Sequence, residues 1–422
     1  MNPSSANDAG VKRSTLLSLV LKALHAGRAE SLPEMSDLLK LSGHVISGLM
    51  DEAFRDDLVK VTGANESSGI PILTYSLTAT GRRLAAEALE RNAYVGPAPV
   101  GLKTYRDQAI VNPLHNERLE PSRIRRALAD LVLTDKVVNR LGPAINTCRS
   151  MLLYGPPGNG KSSVARRIGS MFSNTVYVPY CVEIEGQIVK IFDPAIHEEV
   201  APSPTGRIVE TDIRQEDFDH RWVVCRRPVV ITGGGFSLDM LDLRYIEAAK
   251  FYEAPLHIKA MGGTFVIDDF GRQLIGPKDI LNRWMIPLEE KLDYLKFITG
   301  ATVSLPFETL VIFCTNLAPR DLMDAAFLRR IPYKIKLSPP SVDQYREIFR
   351  RAAAEHALQI SAADLDWLIV ELQEQRQLPL GGYQPGFIMN HIVEASAFAG
   401  RDPLIDRSLI AEALDNLYAD SA

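Results

Sequence analysis

Residues 155–162 read Gly-Pro-Pro-Gly-Asn-Gly-Lys-Ser, a full match to the pattern G-x-x-x-x-G-K-[ST]. An apolar run, Met151-Leu152-Leu153-Tyr154, leads into the match, and the helix-compatible Ser163-Val164-Ala165-Arg166-Arg167-Ile168 leads out of it. A strand that turns through glycines into a helix wraps an anion with bare backbone N–H groups and points the positive end of the helix at it. Gly155, Gly158 and Gly160 supply the backbone freedom, with Pro156, Pro157, Asn159 and Ser163 completing the loop and the first helical turn. Lys161 is placed to reach the β- and γ-phosphates, and Ser162 to hold Mg²⁺. The pattern therefore predicts an α/β core that binds a nucleoside triphosphate.

The chain has 422 residues, 23% of them charged and 46% apolar, with a formal net charge of −5. A single core stops growing before that length, so two or three domains are expected. The small negative charge provides no general attraction to nucleic acid or anionic lipid. Cys148, Cys181, Cys225 and Cys314 are widely spaced, without a C-x-x-C pair or a histidine cluster beside them. That spacing argues against zinc and against a disulfide framework, and suits a reducing cytoplasm. No run reaches the roughly 20 apolar residues of a membrane span, and residues 1–13 lack the apolar core of a secretory signal.

Ahead of the loop, residues 14–24 have helical apolar spacing, Ser31 and Pro33 open a second helix, and Ser42-Gly43 a third. Two strand-like runs, 58–62 and 72–77, flank a turn-rich stretch, and Thr78 starts a further helix. This order over residues 12–92 resembles a winged-helix domain, and Tyr75-Ser76-Leu77-Thr78 followed by Gly81-Arg82 resembles the end of the wing in MarR-type domains. Winged helices often read DNA with the third helix. Here the third helix carries Asp51, Glu52, Asp56 and Asp57 against a single Arg55, which favours protein docking, while Lys60, Arg82 and Arg83 keep DNA open. Residues 93–121 are rich in Pro and Gly without sustained periodicity and read as a linker.

Downstream, Thr264-Phe265-Val266-Ile267-Asp268-Asp269 is an apolar strand ending in two carboxylates. Asp268 is the candidate Mg²⁺ ligand and Asp269 the candidate base or water-orienting group; a strand-capping role is the alternative. Leu310-Val311-Ile312-Phe313-Cys314-Thr315-Asn316 is a second buried strand, whose terminal Asn316 either bonds the attacking water or the γ-phosphate or serves a turn. Arg329 and Arg330 are adjacent guanidinium groups that either reach a neighbouring subunit's phosphates or form an ordinary surface pair.

Taken in order, these residues resemble the AAA+ ATPases: Walker A at 155–162, Walker B at 265–269, sensor 1 at Asn316 and an arginine-finger region at Arg329 and Arg330. The resemblance extends from about residue 123 to the end of the chain. Glu253-Ala254-Pro255, residues 260–265 and the turn-centred alternation of 294–306 are similar to segments of MoxR-type ATPases and bacterial enhancer-binding activators. The resemblance implies an α/β ATPase domain over 122–340, a helical lid over 341–422, ATP and Mg²⁺ as ligands, and a homo-oligomeric ring, a hexamer, that remodels a protein client. Two positions depart from the family pattern. Asp269 stands where most members carry Glu, and Gly386 stands where an Arg is expected to open a lid helix, with no Arg or Lys between Gly386 and Ser396.

The stretch between the two Walker motifs is long and predicts an insertion. Residues 175–192 read as strands around Glu185-Gly186, either projecting into a ring's channel or extending a sheet. Lys250-Phe251-Tyr252 is a second candidate for gripping a substrate, with buried aromatic packing as the alternative. His197 and His220 have no metal-site spacing.

Overall fold

The computed structural model describes residues 3, 5, 6, 8–67, 70–111, 113–201, 218–322 and 325–418. Five parallel strands form its central sheet, in the order Tyr333–Lys336, Met151–Tyr154, Leu310–Thr315, Thr264–Ile267 and Val229–Thr232. Numbered along the chain these are the fifth, first, fourth, third and second strands of that sheet. Three of them, MLLY, TFVI and LVIFCT, are almost wholly buried, as strands covered on both faces must be. Helix Lys161–Ser170 covers one face, setting Val164, Ala165 and Ile168 against Met151, Leu153, Val266, Ile312 and Cys314. On the other face Phe265, Ile267 and Phe313 pack with Trp284, Phe270 and Phe307. The first strand lies between the fifth and the fourth, so the connections leaving it and its neighbours part at their carboxyl ends and open a crevice there.

The expected insertion supplies four of the five strands of a second sheet, whose order is Arg244–Ile246, Phe251–Glu253, Gln187–Lys190, Cys181–Ile184 and, from before the loop, Val100–Gly101. Strands Cys181–Ile184 and Gln187–Lys190 are joined by Glu185 (φ 51°) and Gly186 (φ 82°), two left-handed residues in succession that match the twist of a tight hairpin. All four residues of Cys181–Ile184 are buried, so these strands extend a sheet, and Glu185 and Gly186 at their turn are exposed. Tyr252 is buried too, edge-on to Phe297, and Phe251 packs edge-on to Tyr94; these rings serve the core and are not available to grip a substrate.

The stretch read as linker is more ordered than its composition suggests. Val100–Gly101 adds a parallel strand to the second sheet, and Leu102–Val111 is helical. That helix buries one residue deeply, Tyr105, so its amphipathic signal is only one side chain wide. Before it come helices Arg13–His25, Leu32–Leu39 and Gly43–Arg55, the antiparallel pair Val59–Ser67 and Ile70–Leu77, and helix Ala79–Arg91. Ser31 and Glu34 form a capping box, while Ser42 and Thr78 cap the next two helices. The hairpin ladder runs on through the turn-rich stretch as far as Ser67, with a register shift between Val61 and Gly63.

Beyond the central sheet, helices Val342–Glu355, Ala362–Val370, Gln384–Phe398 and Arg407–Leu417 enclose a separate apolar core that includes Tyr345, Phe349, Leu368, Ile388, Ile392 and Ile410. Among the described residues no helix is long and apolar enough to cross a membrane.

Candidate functional site

The carboxyl ends of the first, third and fourth sheet strands meet at one cavity of about 890 Å³, within the size range of small-molecule sites. Pro157, Gly158, Asn159, Gly160, Lys161, Ser162 and Ser163 line it from the first strand, Asp268 and Asp269 from the third, and Asn316 from the fourth. Parallel pairing aligns Ile267 with Phe313 and Thr315 with Tyr154, so residues far apart in the chain leave the sheet at the same edge. Gly155 and Pro156 do not line the cavity; they act on it through Lys161.

Loop geometry depends on glycine at two points. Gly155 has φ 141°, and a Cβ there would sit 2.1 Å from the Leu337 carbonyl oxygen. Gly158 has φ 73°, and a Cβ there would sit 2.0 Å from Cδ1 of Tyr383. Helix Lys161–Ser170 then starts directly from Gly160, with its first N–H groups unpaired by any side-chain cap. Lys161 is 7% exposed, and its ammonium donates to the carbonyls of Gly155 (2.9 Å) and Pro156 (2.8 Å). Burial pulls its pKa below the usual lysine value, opposed by Cys314, Asp268 and Asp269.

Asp268 extends the third strand, its N–H bonded to the Thr232 carbonyl at 2.8 Å. Its Oδ1 accepts the Asp269 N–H at 3.0 Å. Asp269 turns the chain away with φ 50°, a left-handed conformation that Asp tolerates better than most residues. Phe270 is then tied to the fourth strand, donating its N–H to the Cys314 carbonyl at 2.7 Å and accepting from the Thr315 hydroxyl at 2.7 Å. These ties set the two carboxylates facing the loop. Asn316 Nδ2 donates a long bond of 3.4 Å to Asp269 Oδ1, linking the polar ends of the third and fourth strands.

Arg329 and Arg330 do not line the cavity. They close helix Ala325–Arg330, where Arg329 is exposed and Arg330 is ion-paired to Glu289 at 2.8 Å. His197 is buried between the Asp193 N–H and the Lys259 carbonyl, and burial lowers its pKa. Among the described residues no group of three or more His, Cys, Asp or Glu is arranged to hold a metal by itself.

Several lining residues escaped the sequence reading. Gln344, Ile348, Arg351, Ala352 and Glu355 project from helix Val342–Glu355 at spacings of three and four, a helical stripe visible in the sequence but without a motif to mark it. Arg351 holds the rim by donating to the Ala129 carbonyl at 2.8 Å. Lys336 ends the fifth strand at the cavity, and Arg140 reaches it from helix Asp135–Asn146 while donating to the Lys334 carbonyl at 2.8 Å. Gly386 lines the cavity at the position where an Arg was expected, and Tyr383 stands beside it.

Residues 341–416 match a family model described as a domain of unknown function, DUF8689. The chain is 45% identical over 49 residues to the vesicle-fusing ATPase of Dictyostelium discoideum and, at the same identity and length, to the vesicular-fusion protein SEC18 of Saccharomyces cerevisiae. Each match takes in 12% of this chain and spans only 6% of the relative's length. Among solved structures, the RuvB Holliday junction branch migration motor of Thermotoga maritima is 17% identical with a TM-score of 0.38, covering 68% of this chain and 71% of that one. NtrX of Brucella abortus, in complex with ATP, is 14% identical with a TM-score of 0.41, covering 70% of this chain and 64% of that one.

Proposed function

We propose that the chain is an AAA+ ATPase that binds and hydrolyses ATP between subunits of a homo-oligomeric ring. The observation that carries this reading is the meeting of residues 157–163, the Asp268 and Asp269 carboxylates and Asn316 at one cavity edge. Backbone N–H groups of the loop and the start of helix Lys161–Ser170 receive the phosphates, and Lys161 exchanges its carbonyl partners for β- and γ-phosphate oxygens.

The Ser162 hydroxyl and the Asp268 carboxylate are hard oxygen donors on the same cavity, a set that fits Mg²⁺, which is commonly held by one or two protein groups completed by phosphate oxygens and water. Bound there, Mg²⁺ would neutralise charge on the β- and γ-phosphates. Asp269 orients the attacking water and accepts its proton, and Asn316 holds the Asp269 carboxylate in place. Arg329 of an adjacent subunit is the better candidate to complete the site, because it is exposed whereas Arg330 is engaged with Glu289.

In this reading the helical unit after residue 340 is the lid, the N-terminal unit is a winged helix, and the ring is a cytoplasmic hexamer. The exposed face of helix Gly43–Arg55 and its end presents Asp51, Asp56 and Asp57 beside Phe54, which is 58% exposed. That mixture repels phosphate and suits a protein client over DNA. A weakly hydrolysing nucleotide switch is the second reading, favoured by the absence of a lid guanidinium at Gly386 and by the shorter Asp269 side chain.

Phosphate release from the purified protein tests the enzymatic claim. Asp269→Asn is expected to keep ATP binding and to slow turnover by about 10²–10⁴-fold, the usual contribution of a positioned general base. An unchanged rate would remove Asp269 from the chemistry, and no release by the unaltered protein would favour the switch.

A further inference from the structure

The C-terminal helical unit meets the phosphate loop at Gly158, through the Tyr383 ring and the Gly382 backbone. Tyr383 is the residue from which helix Gln384–Phe398 starts, and its ring lies flat enough on Gly158 that any Cβ there would fall within 2.9 Å of three ring carbons. Gly382, just before it, brings its own backbone against the Gly158 carbonyl; a Cβ on Gly382 would sit 3.1 Å from that oxygen. The approach is therefore backbone-close on both sides of the contact.

What holds the ring belongs to three parts of the helical unit. The Tyr383 and Tyr418 hydroxyls are 2.7 Å apart, and Tyr418 lies at the end of helix Arg407–Leu417. Gln384, fully buried, donates to the same Tyr418 hydroxyl at 2.7 Å and to the Pro379 carbonyl at 3.0 Å, and accepts the Gly381 N–H at 2.8 Å. A displacement of Gly158 is thus passed to the 379–384 turn, to the start of one helix and to the end of another. Tyr383 is 41% exposed, so packing the interior of the unit does not explain its placement.

We propose that Tyr383 is a positioning residue that couples the shape of the phosphate loop to the angle of the helical unit, by steric contact on Gly158 where a lid arginine would act by charge. The proposal rests on the nucleotide-binding reading given above. A loop that tightens around a polyphosphate moves Gly158, and Gly158 cannot move toward the ring without displacing Tyr383, because no side chain or gap separates them. Closure of the unit and filling of the loop become one event, and the hydroxyl pair with Tyr418 sets how rigidly the ring transmits it.

Hydrogen exchange of the full chain, with and without a non-hydrolysable ATP analogue and Mg²⁺, tests this. Unaltered protein is expected to gain protection at residues 155–170 and at 384–398 together. In Tyr383→Ala the gain at 384–398 is expected to fall about tenfold, an ordinary size for coupling between two sites, while the gain at 155–170 persists. Tyr383→Phe keeps the ring on Gly158 but loses the hydroxyl pair with Tyr418, so its distant gain is expected to fall between that of the unaltered protein and that of Tyr383→Ala. A purely structural role would lower basal protection at 384–398 and leave the nucleotide-linked gain in place, which would overturn the proposal. Should Tyr383→Ala lose the fold of the helical unit, Tyr418→Phe decides: a gain reduced at least about twofold supports the coupling, and an unchanged gain contradicts it. If the unaltered protein gains no protection at 155–170, the nucleotide reading fails, and not the coupling alone.

Discussion

The N-terminal helices and hairpin are joined to the body of the protein by buried polar contacts, whereas the C-terminal helices are joined by a few contacts at the rim of the cavity. Arg221, 2% exposed, is held by both oxygens of Asp219 at 3.0 and 2.8 Å and donates to the carbonyls of Ala9 (2.7 Å) and Pro99 (3.0 Å). One guanidinium thereby binds the chain start and the segment before strand Val100–Gly101 to the turn that leads into strand Trp222–Arg226, which pairs with Thr175–Pro179. Lys22 adds bonds to the Asn92 and Tyr94 carbonyls, and Lys250 donates to the Glu90 carbonyl at the surface. Apolar packing follows the same path, since the N-terminal core takes in Cys181 and Ile188 of the second sheet. At the other end, the ties to the body of the protein include Gln344 to the Val132 carbonyl at 3.4 Å, Arg351 to the Ala129 carbonyl and Tyr383 on Gly158. A ligand in the cavity therefore has a short route to the C-terminal unit, while the N-terminal unit is fixed on a sheet that contributes nothing to the cavity lining.

Breaking the firm attachment gives the largest expected change in stability. Arg221→Ala leaves Asp219 buried without its partner and strips two carbonyls of their donor, so a loss of about 3–5 kcal/mol is expected from denaturant unfolding. The same variant should keep its nucleotide affinity. A parallel loss of affinity would show that the N-terminal unit and the cavity are coupled after all.

A smaller effect separates the two ends by pH. Burial raises the thiols of Cys148, Cys181 and Cys225 from 9.0 to about 12, and Cys314 is raised as well. Folded-state values above the unfolded ones mean that the unfolded chain releases these protons first as pH rises. The stabilisation is complete below pH 9 and is lost between pH 9 and 12. Lys22, lowered by burial to about 8, acts in the opposite sense between pH 8 and 10.5, and burial lowers Lys161, Lys291 and Lys334 in the same direction. The C-terminal unit contains no cysteine after Cys314. Hydrogen exchange at pH 8 and pH 9.5, corrected for intrinsic rates and kept below the range where the raised phenols of Tyr345 and Tyr383 add a loss of the same sign, should show protection falling around Cys148, Cys181, Cys225 and Cys314 more than within helices Val342–Glu355 and Gln384–Phe398. Equal loss at both ends would contradict the assignment to thiols.

What could be read from the chain alone follows from how local each signal is. The phosphate loop is contiguous, and its strand, turn and helix are dictated by eight residues and their immediate flanks. Asp268, Asp269 and Asn316 were legible because each ends an unbroken apolar strand, and a parallel sheet brings such ends to one edge. The helix caps at Ser31, Ser42 and Thr78 were equally local. The second sheet was only half legible: its hairpin at Glu185-Gly186 is a neighbour effect, but pairing of Val100 with Val182 and of Tyr252 with Val189 depends on chain closure over tens of residues. Helix Leu102–Val111 hid because Tyr105 alone anchors it. Tyr383 hid because its partner is a glycine, and a contact made by ring on backbone leaves no pattern in either segment.

The central claim is that the 155–162 loop holds a nucleoside triphosphate. Titration of the purified chain with ATP and Mg²⁺, beside Lys161→Ala, tests it most directly. Saturable binding by the unaltered protein and loss of at least about 100-fold in affinity for the variant is the expected result, since Lys161 is the loop's only ammonium on the phosphates and removing one partner of a buried charged hydrogen bond costs roughly 2–5 kcal/mol. Equal affinity in both proteins, or no binding by either, would contradict it.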